Sequence, residues 1–316
     1  MNRTTFVVAT GLALAGVPSA APALAQNQHS FVSSQGNDAN ACTLVAPCRH
    51  LQAALTATIS GGEIAILDTA GYNGGTTVTI TQAVSIVNPG GFEAAIAPPS
   101  GGIGIIINAG STDAVSLRGL SIDGAGAGHV GIQFNSGASL TVENCIVRHM
   151  VFDGIDFLST TATSALMVSN SLISDNGGSG IVLVATGSAT AVFNRVEANN
   201  NGSNGIVVDG GASSIAVNAT VSDSVAAGNG QVGFFSETSS STAPISVMVF
   251  HSVAANNFYG VSAQGSGATL RLANSTVTGN TNGWQVFISG IVDSYGDNYI
   301  DGNTSNQAAP PSIARK

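Results

Sequence analysis

Positive charge is what this chain most lacks. Eight of its 316 residues are Lys or Arg against 17 Asp or Glu, and the only lysine is the last residue, Lys316. Binding to phosphates needs clustered cations, so nucleic acid and anionic membranes are excluded as partners. Aromatic residues make up 5% of the chain, too few for the aromatic girdles of an outer-membrane barrel. Beyond residue 25 no apolar run approaches the roughly eighteen residues of a membrane helix, so the mature chain has no span. Three cysteines, Cys42, Cys48 and Cys145, allow one bridge at most and too few ligands for a zinc site.

Glycine, by contrast, is abundant and placed with a period. Gly104, Gly131, Gly154, Gly180, Gly205, Gly233, Gly260 and Gly283 recur every 23 to 28 residues. Each opens the same phrase: Gly, a bulky apolar residue, a short alternating strand, a small-residue turn, a second strand and an Asn-rich turn. The run 154–208 states it most regularly, and such a period belongs to a solenoid. After the glycines come Ile132, Ile155, Ile181, Ile206, Phe234, Val261 and Trp284, which period-two alternation sends to the core face. Asn144, Asn170, Asn194 and Asn274 form a second column, read as a ladder of stacked amides that satisfies backbone groups at a bend. The repeated Gly is read as a turn residue with positive φ.

In chain order, residues 1–25 carry Arg3, an apolar stretch and Ala23-Leu24-Ala25, and read as a cleavable secretory signal. Its removal takes the formal charge from −9 to −10 and places the protein in the periplasm or outside the cell. Residues 26–67 read as an N-terminal cap of a strand, a loop pinned by a Cys42–Cys48 disulfide, a helix and a second strand. The helix is predicted over 49–58, with Leu51, Ala54, Leu55 and Ile59 on one face, and the strand over 63–67. Exposed solenoid ends template aggregation, and this helix is the lid. Residues 68–303 hold the coils, and 304–316 read as a flexible tail.

Stacked coils of this kind predict an all-β fold, a parallel β-helix solenoid with an N-terminal capping helix. A leucine-rich repeat would need a Leu consensus that is missing, and a β-sandwich would not repeat its Gly and Asn columns. The cap, the Gly-Ile coil openings, the Asn columns and the closing SYGDNYIDGN resemble the right-handed parallel β-helix proteins of the pectin-lyase-like superfamily exported by bacteria. The resemblance covers residues 31–303 and implies a right-handed solenoid; it is specific for fold and not for activity.

Repeats are informative where they depart from themselves. The coil ENCIVRHMVFDGIDF places Arg148, His149, Asp153 and Asp156 where its neighbours carry small or neutral residues. Counting from the Asn column aligns Arg148 with Asp123 and His149 with Asp175, about 4.8 Å apart in stacked strands, and predicts Asp123–Arg148 and His149–Asp175 pairs. The superfamily resemblance implies that Asp123, Asp153, Asp156 and Asp175 hold an acidic sugar, with Ca²⁺, while Arg148 removes a proton. A His149–Asp175 pair as general base and orienter is a second reading, and outer-face aspartates as acid and base a third. The competing expectation is a set of ion pairs decorating an outer turn. DGID at 153–156 lacks the Asn-Thr that precedes it in polygalacturonases, where Val151-Phe152 stand instead. Tyr259, beside a coil turn, is the aromatic side chain placed to stack on a sugar. Cys145 reads as a packed thiol. An outer apolar stripe of Val182, Val207 and Phe235 is expected to be covered by a loop such as 236–245.

No complete lyase, esterase or hydrolase motif is present, and no cofactor is evident; Ca²⁺ enters only with the lyase reading. The leading expectation is an exported module that binds or presents to extracellular polysaccharide or a cell surface. The alternatives are a polysaccharide lyase or glycoside hydrolase acting on acidic polysaccharide, and a purely structural surface protein. Oligomeric state and metal assignment stay open.

Overall fold

Alternating apolar and polar residues make each coil fold as short strands whose inward side chains can be buried only against the next coil. The computed structural model describes Met1 and residues 26–211, 215–238, 244–305 and 307–315. The predicted signal beyond Met1, residues 2–25, lies outside them. Among the described residues, successive coils give one short strand to a sheet of nine, here the short sheet, and longer segments to a sheet of 19, the long sheet. Strands pair in parallel one coil apart: Ile132 with Ile105 and Ile155, Ile155 with Ile181, Ile181 with Ile206, and Ile206 with Phe234. The fold is therefore the predicted parallel β-helix, and its column of inward residues is at most 1% exposed from Ile132 to Val261. Phe134 and Phe157 stack in this core with ring centroids 4.3 Å apart.

The long sheet bends at single residues in left-handed conformation, a region that Asn, Asp and His enter at low cost. Asn144, Asn170, Asp223, His251 and Asn274 occupy one such column, with φ between 46° and 52°. Two parts of the predicted ladder are corrected here. Arg195, not Asn194, takes the left-handed slot, because Asn194 pairs one residue earlier with Ser169 and Ser222. The side chains of Asn144, Asn170 and Asn274, which are exposed, and of Asn194, which is half-buried, also do not stack amide on amide. Asn194 Nδ2 instead reaches Ser222 Oγ at 2.8 Å.

The buried amide ladder runs elsewhere, along Asn176, Asn201, Asn229, Asn257, Asn280 and Asn303. From Asn201 onwards each Oδ1 accepts both the backbone N–H and the Nδ2–H of the asparagine one coil before, as Asn229 does from Asn201 at 3.1 and 3.0 Å. From Asn201 onwards the free side of each Nδ2 reaches a backbone carbonyl; Asn229 donates to Ala198 at 2.9 Å. At the N-terminal end the slot holds Met150, whose N–H donates to Asn176 Oδ1 at 3.1 Å.

This ladder and the next coil's backbone explain the repeated glycine, and correct its predicted role. None of the column from Gly104 to Gly283 has positive φ. A Cβ on Gly180 would instead sit 2.7 Å from the carbonyl of Gly205 and 2.9 Å from Asn201 Nδ2. From Gly104 to Gly260 a Cβ would collide with the backbone carbonyl of the next coil's Gly, and from Gly154 to Gly283 the buried amides also pass directly beside the column.

The N-terminal segment contains the expected disulfide and a short helix. Cys42 and Cys48 are disulfide-bonded. The helix spans Leu51–Ala57, shorter than predicted, and buries Leu51, Ala54 and Leu55. Ile59 is not on it: the chain is already extended from Thr58, in strand Thr58–Ile66, and Ile59 is half-exposed. That strand pairs with Val84–Val87, so it belongs to the stack rather than to a separate cap. Gln52 meets the first strand of the short sheet, Val78–Ile80, accepting from Thr79 N at 2.9 Å and donating to Thr79 O at 3.3 Å. One side-chain amide thus stands in for a neighbouring strand at the sheet edge. At the other end the tail expected to be loose is paired to the last coil. Asn282 bridges Ser305, Ser294 bridges Ser312, and Trp284 Nε1 donates to Ala308 O at 2.9 Å.

Candidate functional site

The six residues singled out in the sequence do not converge. Asp123, at the end of strand Leu120–Asp123, and Arg148, at the end of Ile146–Arg148, meet as predicted, Nε to Oδ2 at 2.9 Å. His149 does not reach Asp175; its Nδ1 lies 3.0 Å from Asp123 Oδ1. The reason is local. His149 is itself left-handed and stacks over Gly124, which leaves room for Asp123, while Asp175 occupies the equivalent left-handed slot one coil on. Among the described residues the Asp175 side chain makes no hydrogen bond or ion pair. Asp123 also accepts Ala125 N at 2.9 Å. Burial opposes its charge, but the bonds from Ala125, His149 and Arg148 outweigh that and hold the carboxyl below its ordinary value. The Asp123 carboxylate is thus engaged in fastening a turn.

Asp153 and Asp156 lie apart from this group, at the entry to strand Ile155–Ser159 of the short sheet. Asp153 Oδ1 accepts Ser179 N at 2.5 Å from the next coil. Asp156 points outward between Gln133 and Val182. Its Oδ1 is buried without a hydrogen-bond partner. Burial first, then the charge and hydrogen bond of Asp153, push its carboxyl up to about 7.

Followed along the axis, the same outer face of the short sheet changes from apolar to polar. Leu158, Val184, Asp209, Glu237, Gln264 and Phe287 lie in one line at successive coils. The apolar stripe beside it is half-covered at Val182 and Phe235 and buried at Val207. Of the loop expected to cover it, residues 239–243 lie outside the described residues. Gln264 Nε2 donates to Glu237 Oε1 at 2.7 Å. Burial and then the charge of Asp209 raise Glu237, and burial raises Asp209 against the bond from Gly211 N. Beside them opens a groove of about 470 Å³ whose lining includes Asn204, Gln231, Glu237 and Gln264 and the rings of Phe235, Phe258, Tyr259 and Phe287. Tyr259 makes edge contacts with Phe258 at 4.6 Å and Phe287 at 5.7 Å. Tyr259 is the predicted sugar-stacking residue; Asp209, Glu237 and Phe287 were not foreseen. Their signal is present only once the strand register is known, since each is the unremarkable polar or apolar end of its own strand.

Two larger hollows, of about 630 and 680 Å³, lie on the long sheet beside the tail, lined by Met248, Phe250, Arg271, Tyr295 and Arg315 among others. Arg315 there pairs with Asp297, and Arg271 donates to Ser246. Cys145 is a packed thiol, buried and pushed up to about 11 by that burial. Among the described residues no three His, Cys, Asp or Glu side chains are grouped to hold a metal ion, and no helix is long and apolar enough to cross a membrane.

Among curated protein sequences none matches this chain. Solved structures do. A pectate lyase, Pel9A, superposes over 91% of this chain and 82% of its own with a TM-score of 0.55 at 17% identity. The GH136 lacto-N-biosidase of Eubacterium ramulus superposes over 87% of this chain and 68% of its own, with a TM-score of 0.39 at 10% identity. The A-module of the Azotobacter vinelandii mannuronan C-5 epimerase AlgE6 covers 79% of this chain and 93% of its own, with a TM-score of 0.36 at 17% identity. At these identities the likeness is one of fold. The family profile described as the right handed beta helix region matches residues 103–305, nearly two thirds of the chain. With a stack of parallel coils behind that match, this protein belongs to the right handed beta helix family.

Proposed function

We propose that this protein is exported and binds polysaccharide along the outer face of its short sheet. The observation that carries the reading is the groove at Tyr259, where aromatic rings stand beside a floor of carboxylate and carboxamide groups. Sugar rings offer apolar faces for aromatic stacking and hydroxyls for bidentate polar side chains, and this groove supplies both. The disulfide fits an oxidising compartment, in keeping with removal of residues 1–25 on export. The test is retardation of the protein in gels containing a panel of polysaccharides, with Tyr259→Ala as control. Binding that Tyr259→Ala weakens at least tenfold is expected; binding indifferent to Tyr259 would place the ligand elsewhere.

A second reading, glycoside hydrolysis, has one observation in its favour. Asp156, raised to about 7 beside a second carboxylate, is the kind of acid that stays protonated near neutrality. Release of reducing ends that Asp156→Asn abolishes would establish it. Arg148 as the base of a lyase, with Ca²⁺, is the weaker variant, because its guanidinium is held by Asp123. Unsaturated products that appear with Ca²⁺ and vanish in Arg148→Ala would revive it.

A further inference from the structure

The charge on the proposed binding face narrows the ligand further. We infer that the groove at Tyr259 takes an uncharged glycan and rejects polyuronates, an inference that rests on the polysaccharide-binding reading above.

The arginines of the described residues all lie away from this face. Arg118, Arg148, Arg195 and Arg271 belong to the long sheet, Arg49 to the cap and Arg315 to the tail. The short sheet instead presents Asp156, Asp209 and Glu237 outward, with Gln133, Gln264 and Gln285 as its other long polar side chains. His129, at its edge, packs against Phe152 with ring centroids 4.8 Å apart. A uronate laid along Tyr259 would bring its carboxylate beside Glu237, which lines the groove and has Asp209 as its partner on the neighbouring strand, with no arginine to answer it, and like charges repel. The same surface suits hydroxyls. Gln264, already bonded to Glu237, keeps its carbonyl oxygen to accept from a hydroxyl, and the carboxylates of Glu237 and Asp209 accept from hydroxyls as well.

The experiment measures affinity electrophoresis and calorimetric titration of the purified protein against β-1,4-galactan, β-1,4-mannan and hydroxyethylcellulose, and against polygalacturonate and alginate. Each is run with calcium and with EDTA. Binding of at least one uncharged chain is expected, weakened tenfold or more in Tyr259→Ala, with no binding of either polyuronate at this groove. Asp209→Asn combined with Glu237→Gln is expected to admit polygalacturonate, gaining at least threefold in affinity. Polyuronate binding that Tyr259→Ala removes, with or without calcium, would overturn the inference and leave the glycan reading standing. A double variant that still excludes polygalacturonate would overturn charge as the cause. Absence of binding to all five would overturn both.

Discussion

Nδ1 of His149 lies 3.0 Å from Oδ1 of Asp123, one coil back, on the same carboxylate that takes Arg148 Nε at 2.9 Å. With the N–H of Ala125 as a third donor, this carboxylate fixes the turn that follows strand Leu120–Asp123.

Asp123→Ala is expected to lower stability by about 1–2 kcal/mol, since a charged acceptor with three donors is lost from a partly exposed site. Arg148→Ala is expected to cost less, about 0–1 kcal/mol, as for exposed pairs generally. Denaturant unfolding measures both. Polysaccharide retardation should be unchanged in either variant, and its loss in a folded variant would return this cluster to the binding site.

Asp156 makes stability depend on pH in a specific sense. Its folded pKa, about 7, lies above the ordinary carboxylate value of 3.8. The folded state therefore favours the proton, and the contribution is complete below the ordinary value and lost as pH rises towards 7. The melting temperature should fall between pH 4 and about pH 7, and Asp156→Asn should flatten that fall, at up to about 1.4 kcal/mol per unit of displacement. Parallel curves for the two proteins would show that Asp156 ionises freely.

The two columns of asparagine should separate cleanly. Asn229→Ala removes an acceptor shared by the two N–H donors of Asn201 and strands the carbonyl of Ala198 in the buried ladder. About 3 kcal/mol or more is expected, from several unsatisfied buried groups. Asn144→Ala at an exposed left-handed bend should cost about 1 kcal/mol, the strain of that conformation alone. Equal losses in urea titrations would deny the buried column its role.

Gln52→Ala should leave the fold intact but uncover the edge at Thr79. Light scattering on incubation should then show faster self-association than the parent chain, as an unpaired edge strand templates pairing. A variant that stays monodisperse would mean that the rest of the cap protects the edge.

The repeat made the fold legible because every coil repeats the same division of apolar and small residues. Column membership was less so. Coils differ in length by up to five residues, from 23 to 28, and counting from one landmark displaced Asn194 against Arg195. The glycine column was placed correctly and explained wrongly, since the crowding of Gly180 by the Asn201 amide is a contact between coils that no single coil displays. For His149 the sequence offers an acid on either side, and the choice of Asp123 over Asp175 depends on the conformation of the turn. Glu237 and Asp209 became a pair only when strand register set them side by side.

The asparagine ladder has a direction. From Met150 to Asn280 every coil offers a donor towards the C-terminal side and, from Asn176 onwards, an acceptor towards the N-terminal side. Coils separated by 23 and by 28 residues make this same joint. A coil is therefore an interchangeable part with a plug on one side and a socket on the other. Whole coils can be duplicated or deleted with the joint intact, and extra residues are taken up in the turns between slots, whereas an insertion that displaces an asparagine from its slot cannot be absorbed.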